Sequence, residues 1–206
     1  MGQRCYLSNI KFLIVDDNAF MRTVIRRILG ALGVQHVREA GDGAEALKIL
    51  QTWPADIVLL DWEMTPFDGI EFTHMVRTSS DIENPYMPII MISGYSEYWR
   101  ISAARDAGVT EFLVKPISAN AIFSRIRNVI ENPRPFVAAP GYFGPDRRRH
   151  DMDHGPERRE HDPNEIAPER TMNQDEINTY FNSEPGAARL ARYHSDTNDD
   201  DQPQTH

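Results

Sequence analysis

Residues Ile57–Gly69 read IVLLDWEMTPFDG, and this stretch decides the fold. Its apolar run ends at Asp61, and the Pro, Asp and Gly that follow lead into a helical pattern near Ile70–Arg77. An uninterrupted apolar run of this kind is typical of a strand buried on both faces, as the strands of parallel sheets are. The stretch therefore predicts a strand, a loop and a helix, with a carboxylate at the carboxyl end of the strand.

The same strand–helix unit recurs along the first 131 residues. The predicted strands are Lys11–Val15, His36–Ala40, Ile57–Leu60, Pro88–Ile92 and Glu111–Val114, and the predicted helices lie near 20–32, 42–50, 70–77, 97–107 and 119–130. These units predict an α/β fold in which a five-stranded parallel sheet is doubly wound, with helices on both faces. Ligands of such sheets bind beyond the carboxyl ends of the strands.

Polar side chains stand at those carboxyl ends. They are Asp16 and Asp17 after the first strand, Asp61 at the third, Ser93 at the fourth and Lys115 at the fifth. Clustered carboxylates repel one another unless a hard cation such as Mg²⁺ is present, and a lysine with a hydroxyl suits a phosphoryl group. A carboxylate can then act as the nucleophile and form an acyl phosphate. Any one of these residues alone is an ordinary polar strand end, whereas their joint occurrence favours a phosphoacceptor site.

Four motifs carry a family resemblance. They are FLIVDDNAFMR (Phe12–Arg22), IVLLDWEMTPFDG (Ile57–Gly69), IIMISG (Ile89–Gly94) and FLVKP (Phe112–Pro116). With these motifs, residues 1–131 resemble the CheY-type response-regulator receiver family, which implies a flavodoxin-like sheet and signalling by phosphorylation. The resemblance implies that Asp61 is the phosphoacceptor and that Asp17 and Asp61 bind Mg²⁺ directly. It also implies that Asp16 binds the ion through water and that the main-chain carbonyl of Glu63 completes the protein ligands.

The same resemblance assigns the residues around the phosphoryl group. Ser93 would hold a phosphoryl oxygen, and Lys115 would pair with the phosphate and be followed by a cis peptide bond to Pro116. Phe112 stands at the position of the switch aromatic, where Tyr is frequent, and it would fill the space left when Ser93 moves. The face formed by the fourth and fifth helices would then change its affinity for a partner. The proline of the third loop departs from the family pattern by one residue, at Thr65-Pro66.

Residues 132–206 differ from the receiver in composition. They contain no lysine and nine of the 14 prolines of the chain, and long apolar runs are missing from them. Such composition predicts a largely disordered C-terminal tail. Residues 173–182 favour a short amphipathic helix, because Asn173 and Glu176 form a capping pattern and Ile177 and Phe181 share a side. This segment resembles the N-terminal peptide of the flagellar switch protein FliM, which binds phosphorylated CheY.

A short repeat lies within the tail. The unit GPDRRRHDMDH begins at Gly144 and GPERREHDPNE begins at Gly155. Guanidinium groups stack on bases and pair with the O6 and N7 atoms of guanine. The tail resembles the arginine-rich extensions of CheY-like cyclic di-GMP effectors of the Cle group, which implies that this nucleotide is bound by Arg147, Arg148, Arg158 and Arg159. The alternative is a solvated tail in which Asp146, Glu157 and Glu160 balance the basic charge.

Composition bounds the function classes. The single cysteine suits a reducing cytoplasm, and no apolar run is long enough to cross a bilayer. A net charge of −9 argues against general binding to DNA. A haloacid-dehalogenase-like phosphatase would need a second aspartate two residues after the nucleophile, whereas Glu63 stands there, so we expect no enzyme.

The sequence therefore predicts a cytoplasmic two-component response regulator. A histidine kinase or phosphotransferase would phosphorylate Asp61, and the output would be contact with a protein partner, for which the flagellar switch and thus chemotaxis are candidates. The alternative is a phosphate sink or shuttle in a phosphorelay, with an inert tail.

Overall fold

The computed structural model describes residues 7–146 and 170–182. The strands of the main sheet are β1 (Lys11–Val15), β2 (His36–Ala40), β3 (Ile57–Asp61), β4 (Ile89–Ser93) and β5 (Glu111–Val114). They alternate with helices α1 (Ala19–Ala31), α2 (Gly43–Thr52), α3 (Gly69–Thr78), α4 (Tyr98–Ala107) and α5 (Ala119–Glu131). The strands are all parallel and lie in the order β2-β1-β3-β4-β5. The predicted five-stranded, doubly wound α/β fold is confirmed.

Each face of the sheet has its own buried cluster. On one face, Phe12 and Ile14 of β1 pack with residues of α1 and α5 that include Ile25 and Ile126. On the other face, the alternate residues of β1 pack with residues of α2, α3 and α4, among them Phe72 and Ile101. Successive side chains of a strand point to opposite faces, so an entirely apolar strand supplies both clusters.

Helix caps and one glycine position the loops at the carboxyl ends of the strands. The Asn18 side chain accepts hydrogen bonds from the amides of Phe20 and Met21 and so caps α1 directly after β1. Asp68 and Glu71 form a capping box at the start of α3. A Cβ atom on Gly69 would lie 2.7 Å from the main-chain oxygen of Asp61, so only glycine lets α3 begin this close to the end of β3.

A β-hairpin follows α5 and was not predicted. Its antiparallel strands are β6 (Phe136–Ala139) and β7 (Tyr142–Pro145), joined by a turn in which Gly141 has a φ of 75°. The rings of Phe136 and Phe143 each lie about 5 Å from that of Tyr86, which belongs to the loop before β4. Such contacts join residues that are far apart in sequence. The short, proline-flanked strands therefore carried no local sequence pattern that would predict a hairpin.

A further helix, α6 (Gln174–Asn182), lies where the sequence favours a short helix. Ile177 and Phe181 are buried in the same cluster as Phe112 of β5. The composition of residues 132–206 predicted a largely disordered tail, and the described parts of that segment are folded elements in contact with the five-stranded domain. A small apolar side of α6 suffices, because it completes a cluster that the sheet has already formed. Within the described ranges, no helix is long and apolar enough to span a membrane.

Candidate functional site

The predicted strand-end residues meet at one edge of the sheet. Asp61 ends β3, Ser93 ends β4, Asp16 and Asp17 follow β1, and Lys115 follows β5. One carboxylate oxygen from each of Asp16, Asp17 and Asp61 lies within 4.8 Å of the others. The main-chain amide of Lys115 donates a hydrogen bond of 2.7 Å to the carbonyl of Ser93, which holds the lysine beside the end of β4. Parallel strands with a common direction thus place residues from four loops around one crevice.

Lys115 is the positive group of this crevice. Its Nζ donates a hydrogen bond of 2.8 Å to Asp61 Oδ1 and lies 4.0 Å from Asp16 Oδ2. Asp16 and Asp61 are buried, whereas Asp17 is exposed. Arg22 also lies close, since its guanidinium group donates a hydrogen bond of 2.7 Å to the main-chain oxygen of Asp16, and its charge lowers the pKa of that carboxyl group. Lys115 is the cation that contacts the carboxylate of Asp61 itself.

Burial and crowding change the ionisation of two of these carboxyl groups. Burial raises the pKa of Asp61 to about 6; the hydrogen bond from Lys115 works in the opposite direction, and the charge of Asp16 adds to the rise. Burial also raises the pKa of Asp16, against the hydrogen bond from the Asn18 amide. Asp16 Oδ2 is buried and has no hydrogen-bond partner among the described residues. Clustered carboxylate oxygens, one of them buried without a hydrogen-bond partner among the described residues, fit a hard divalent cation such as Mg²⁺.

Ser93 and Glu63 lie on the loops beside the carboxylates. The buried Ser93 hydroxyl accepts a hydrogen bond of 3.1 Å from the amide of Tyr95. Glu63 is exposed, and its carboxylate lies 4.0 Å from the guanidinium group of Arg100 on α4. The peptide bond between Lys115 and Pro116 is cis, as predicted, and the bond between Thr65 and Pro66 is also cis.

Arg100 has surroundings that the sequence did not reveal. Its guanidinium carbon lies 4.1 Å from the ring centroid of Tyr95, 4.8 Å from that of Trp99 and 5.6 Å from that of Trp62. Its side chain also forms an ion pair with Glu97. Tyr95 and Trp99, near the start of α4, and Trp62, which follows β3, therefore form a cation–π cluster with Arg100 beside the site.

Phe112, the predicted switch aromatic, is fully buried. Its ring contacts Trp62 edge-on at 6.3 Å between centroids and stacks on Phe181 at 6.1 Å. Trp62 directly follows Asp61, so a continuous row of rings leads from the crevice to α6. The sequence indicated the position of Phe112 but gave no signal that a residue of the tail covers it.

The four arginines predicted to bind cyclic di-GMP, which are Arg147, Arg148, Arg158 and Arg159, lie outside the described residues.

Comparison with known proteins follows the same division of the chain. A family model described as the response regulator receiver domain matches residues 12–127. Chemotaxis protein CheY-3 of Vibrio cholerae is 32% identical over 123 residues, which are 60% of this chain and 93% of that protein. Chemotaxis protein CheY of Pseudomonas aeruginosa is 33% identical over 122 residues, covering 59% of this chain and 97% of that protein.

Solved structures give a consistent result. The structure of the chemotaxis response regulator CheY4 of Vibrio cholerae is similar with a TM-score of 0.54 and 29% identity, covering 58% of this chain and 98% of that one. The hairpin β6–β7 and helix α6 lie after the last residue that the family model matches.

Proposed function

Because the chain belongs to the response-regulator receiver family, we propose that it is a two-component response regulator that receives a phosphoryl group on Asp61. Receivers of the CheY type act in phosphorylation-dependent signalling, and such domains are generally not enzymes. The observation that supports Asp61 is its hydrogen bond of 2.8 Å to Lys115, made beside the carboxylates of Asp16 and Asp17. The donor would be a histidine kinase or a histidine phosphotransferase, and the protein would act in the cytoplasm.

The chemistry follows from the groups around Asp61. A carboxylate oxygen of Asp61 attacks phosphorus, the bond from phosphorus to the donor nitrogen breaks, and an acyl phosphate forms. With a pKa of about 6, the carboxyl is ionised at neutral pH, as a nucleophile must be. Lys115 is in place to pair with the oxygens of the phosphoryl group, and the Ser93 hydroxyl to donate a hydrogen bond to one of them.

The metal ligands of the proposal are Asp17, Asp61 and the main-chain carbonyl of Glu63, with Asp16 acting through water. Bound there, Mg²⁺ supplies the positive charge that offsets the negative charge of the phosphoryl oxygens. The buried oxygen of Asp16 that has no hydrogen-bond partner among the described residues supports this assignment.

The test is labelling by a small phosphodonor in the presence of Mg²⁺. Asp61→Asn should abolish labelling, because an amide is no nucleophile at neutral pH. Asp56→Asn is the matched control: this aspartate lies at the opposite end of β3, where it accepts a hydrogen bond from the Lys11 amide, and labelling should persist. Label that remains on the Asp61→Asn protein would refute the assignment.

The output would be contact with a protein partner through the face that includes α4 and α5. The packing of α6 on α4 and β5 supports this, because that part of the face already binds a helix. A phosphate sink or shuttle needs no such surface, and its tail would be inert. The flagellar switch is a candidate partner, since the similar proteins are named as chemotaxis proteins.

Cyclic di-GMP binding is a second proposal, supported by the repeat of GPDRR and GPERR. Calorimetry of the full chain with cyclic di-GMP and cyclic di-AMP tests it. Arg→Lys variants at positions 147, 148, 158 and 159 should lose a guanine-specific signal, because an ammonium group neither stacks nor forms the paired hydrogen bonds of a guanidinium.

A further inference from the structure

Helix α6 fills a groove between α4 and the edge strand β5. Ile177 and Phe181, which are four residues apart on one side of α6, are 0% and 1% exposed. Phe181 stacks on Phe112 of β5, and the ring of Tyr180 meets that of Tyr98 on α4 at 5.3 Å. We call this groove the α4–β5 surface and define its receiver side by Tyr98, Ile101, Arg105, Phe112 and Val114. Ile101 and Phe112 of this surface are fully buried, whereas Tyr98 and Val114 are half-buried.

Polar contacts position the first turn of α6 on the edge of the sheet. The side-chain oxygen of Gln174 accepts a hydrogen bond of 2.8 Å from the amide of Val114, and its Nε2 donates one of 2.9 Å to the carbonyl of Phe112. These are main-chain groups of β5, which has a neighbouring strand on one side only among the described residues. One carboxamide thus pairs with the strand edge in the way that a further strand would.

The last turn of α6 is held by Arg105 of α4 and by Arg134, which follows α5. Arg105 of α4 donates a hydrogen bond of 3.1 Å to the carbonyl of Tyr180, and Arg134 donates one of 2.8 Å to the carbonyl of Phe181. Carbonyl groups at the end of a helix have no partner within the helix and carry partial negative charge. The receiver therefore recognises a helix terminus as well as apolar side chains.

The residues before α6 pair with the loop that follows β4. Thr171 forms an isolated antiparallel bridge with Glu97. The amide of Met172 donates a hydrogen bond of 2.7 Å to the carbonyl of Ser96, three residues after Ser93. The bound segment therefore extends from the neighbourhood of the proposed phosphoacceptor site to the far end of α4.

The size of α6 indicates that docking and helix formation occur together. The helix has nine residues, and isolated helices of fewer than about 12 residues are marginal in water. Its stability therefore comes from the groove, and loss of the groove contacts releases the whole segment. The five parallel strands and their helices keep all their other contacts when that happens, because α6 adds no strand to the sheet.

Resting on the proposed output through this face, we propose that α6 is an autoinhibitory helix: it occupies the α4–β5 surface within the same chain and keeps a partner helix from that surface until it undocks. The partner carries a carboxamide in its first turn and bulky apolar side chains three and seven positions later, as Gln174, Ile177 and Phe181 do. The carboxamide forms hydrogen bonds with the main chain of β5, and the apolar side chains fill the groove. Arg105 and Arg134 donate hydrogen bonds to the carbonyl groups at the end of the helix.

The test uses the full chain and a fluorescent peptide of residues 170–182. Thr179→Pro empties the surface, because proline removes a main-chain hydrogen bond within α6. The Thr179 side chain is exposed and donates its hydrogen bond to the carbonyl of Asp175 in the same helix. Thr179→Ala is the matched control and keeps the helix. In fluorescence anisotropy, the peptide should bind the proline variant at least about tenfold more tightly than the wild type or the alanine variant.

Two further measurements make each outcome decisive. Ile177→Asp empties the surface by another route, through burial of a charge, and this full-length variant should bind the same peptide. A peptide that itself carries Ile177→Asp should not bind. Equal affinity for wild type and proline variant, or no binding to either emptied variant, would overturn the proposal. So would global unfolding of both emptied variants, since α6 would then be an integral part of the domain.

Discussion

The two faces of the sheet are closed in different ways. The face with α1 and α5 is covered by helices that the strand–helix alternation itself delivers. The opposite face receives α2, α3 and α4 from the same alternation, and its cluster is completed beside β5 by Ile177 and Phe181, which come some 60 residues after Val114. Side chains of the same type are buried to the same extent on both faces. The difference is that α6 can undock while the sheet stays folded, whereas α1 and α5 cannot.

Equal burial of a side chain on the two faces therefore does not imply an equal contribution to the stability of the whole domain. A residue of α5 is exposed to water only when the domain unfolds. Truncation of its side chain therefore lowers the free energy of global unfolding by the full amount. A residue of α6 is also exposed when α6 alone undocks, so the cost of its loss cannot exceed the free energy of docking. Substitutions on the two faces should therefore give different responses at equal burial.

The largest effect is expected from Ile126→Ala on the face with α1 and α5. Ile126 is fully buried, and the change should lower the free energy of unfolding by about 2–5 kcal/mol through lost transfer energy and a cavity. Urea denaturation measures it. Arg127→Ala, at an exposed neighbouring position, is the control and should stay within about 0.5 kcal/mol of the wild type. Similar free energies of unfolding for the two variants would mean that burial of Ile126 on this face does not contribute to global stability.

A smaller effect is expected from Phe181→Ala, although Phe181 is equally buried. Buried phenylalanines usually cost about 3–5 kcal/mol when truncated, and undocking should hold the loss below that range. Ile177→Ala added to it should cost almost nothing more, because α6 is already released. The double-mutant cycle in urea denaturation measures this saturation. If the losses of unfolding free energy from the two substitutions add up, α6 does not undock on its own, and the two faces contribute to stability in the same way.

The sequence predicted one part of this molecule far better than the other. The sheet and the crevice were predictable, because each apolar strand is followed at once by the polar residue that it positions, as Asp61 follows Ile57–Leu60. The capping pattern of α6 is local too, and so its position was foreseen. The resemblance to the FliM peptide suggested a helix that could dock on this or another receiver. Its position beside β5 was not foreseen, because the partners of Gln174 are main-chain groups of β5, which have no signature in sequence. The hairpin was missed for a related reason, since its aromatic contacts reach back to Tyr86.

The smallest effect is expected from Gln174→Ala, which removes the contact of α6 with the strand edge and keeps its apolar side. The loss should be about 0.5–1.5 kcal/mol for each of the two hydrogen bonds to β5, and in total no more than the free energy of docking. Amide hydrogen exchange at Val114 should accelerate, since its amide donates to Gln174. Asp175→Ala, at an exposed position of the same turn, should leave that amide protected. Unchanged exchange in the Gln174 variant would show that the strand edge is closed by something else.

One consequence arises because α6 and the surface it covers belong to one chain. A tethered ligand competes at an effective concentration that is typically of millimolar order, whatever the amount of protein in the cell. A free helix with the same intrinsic affinity would need about 1 mM to take half of the sites. Each 1.4 kcal/mol by which phosphorylation weakened the docking of α6 would lower this threshold tenfold. The tether thus sets a concentration below which a partner helix does not displace α6 from the surface.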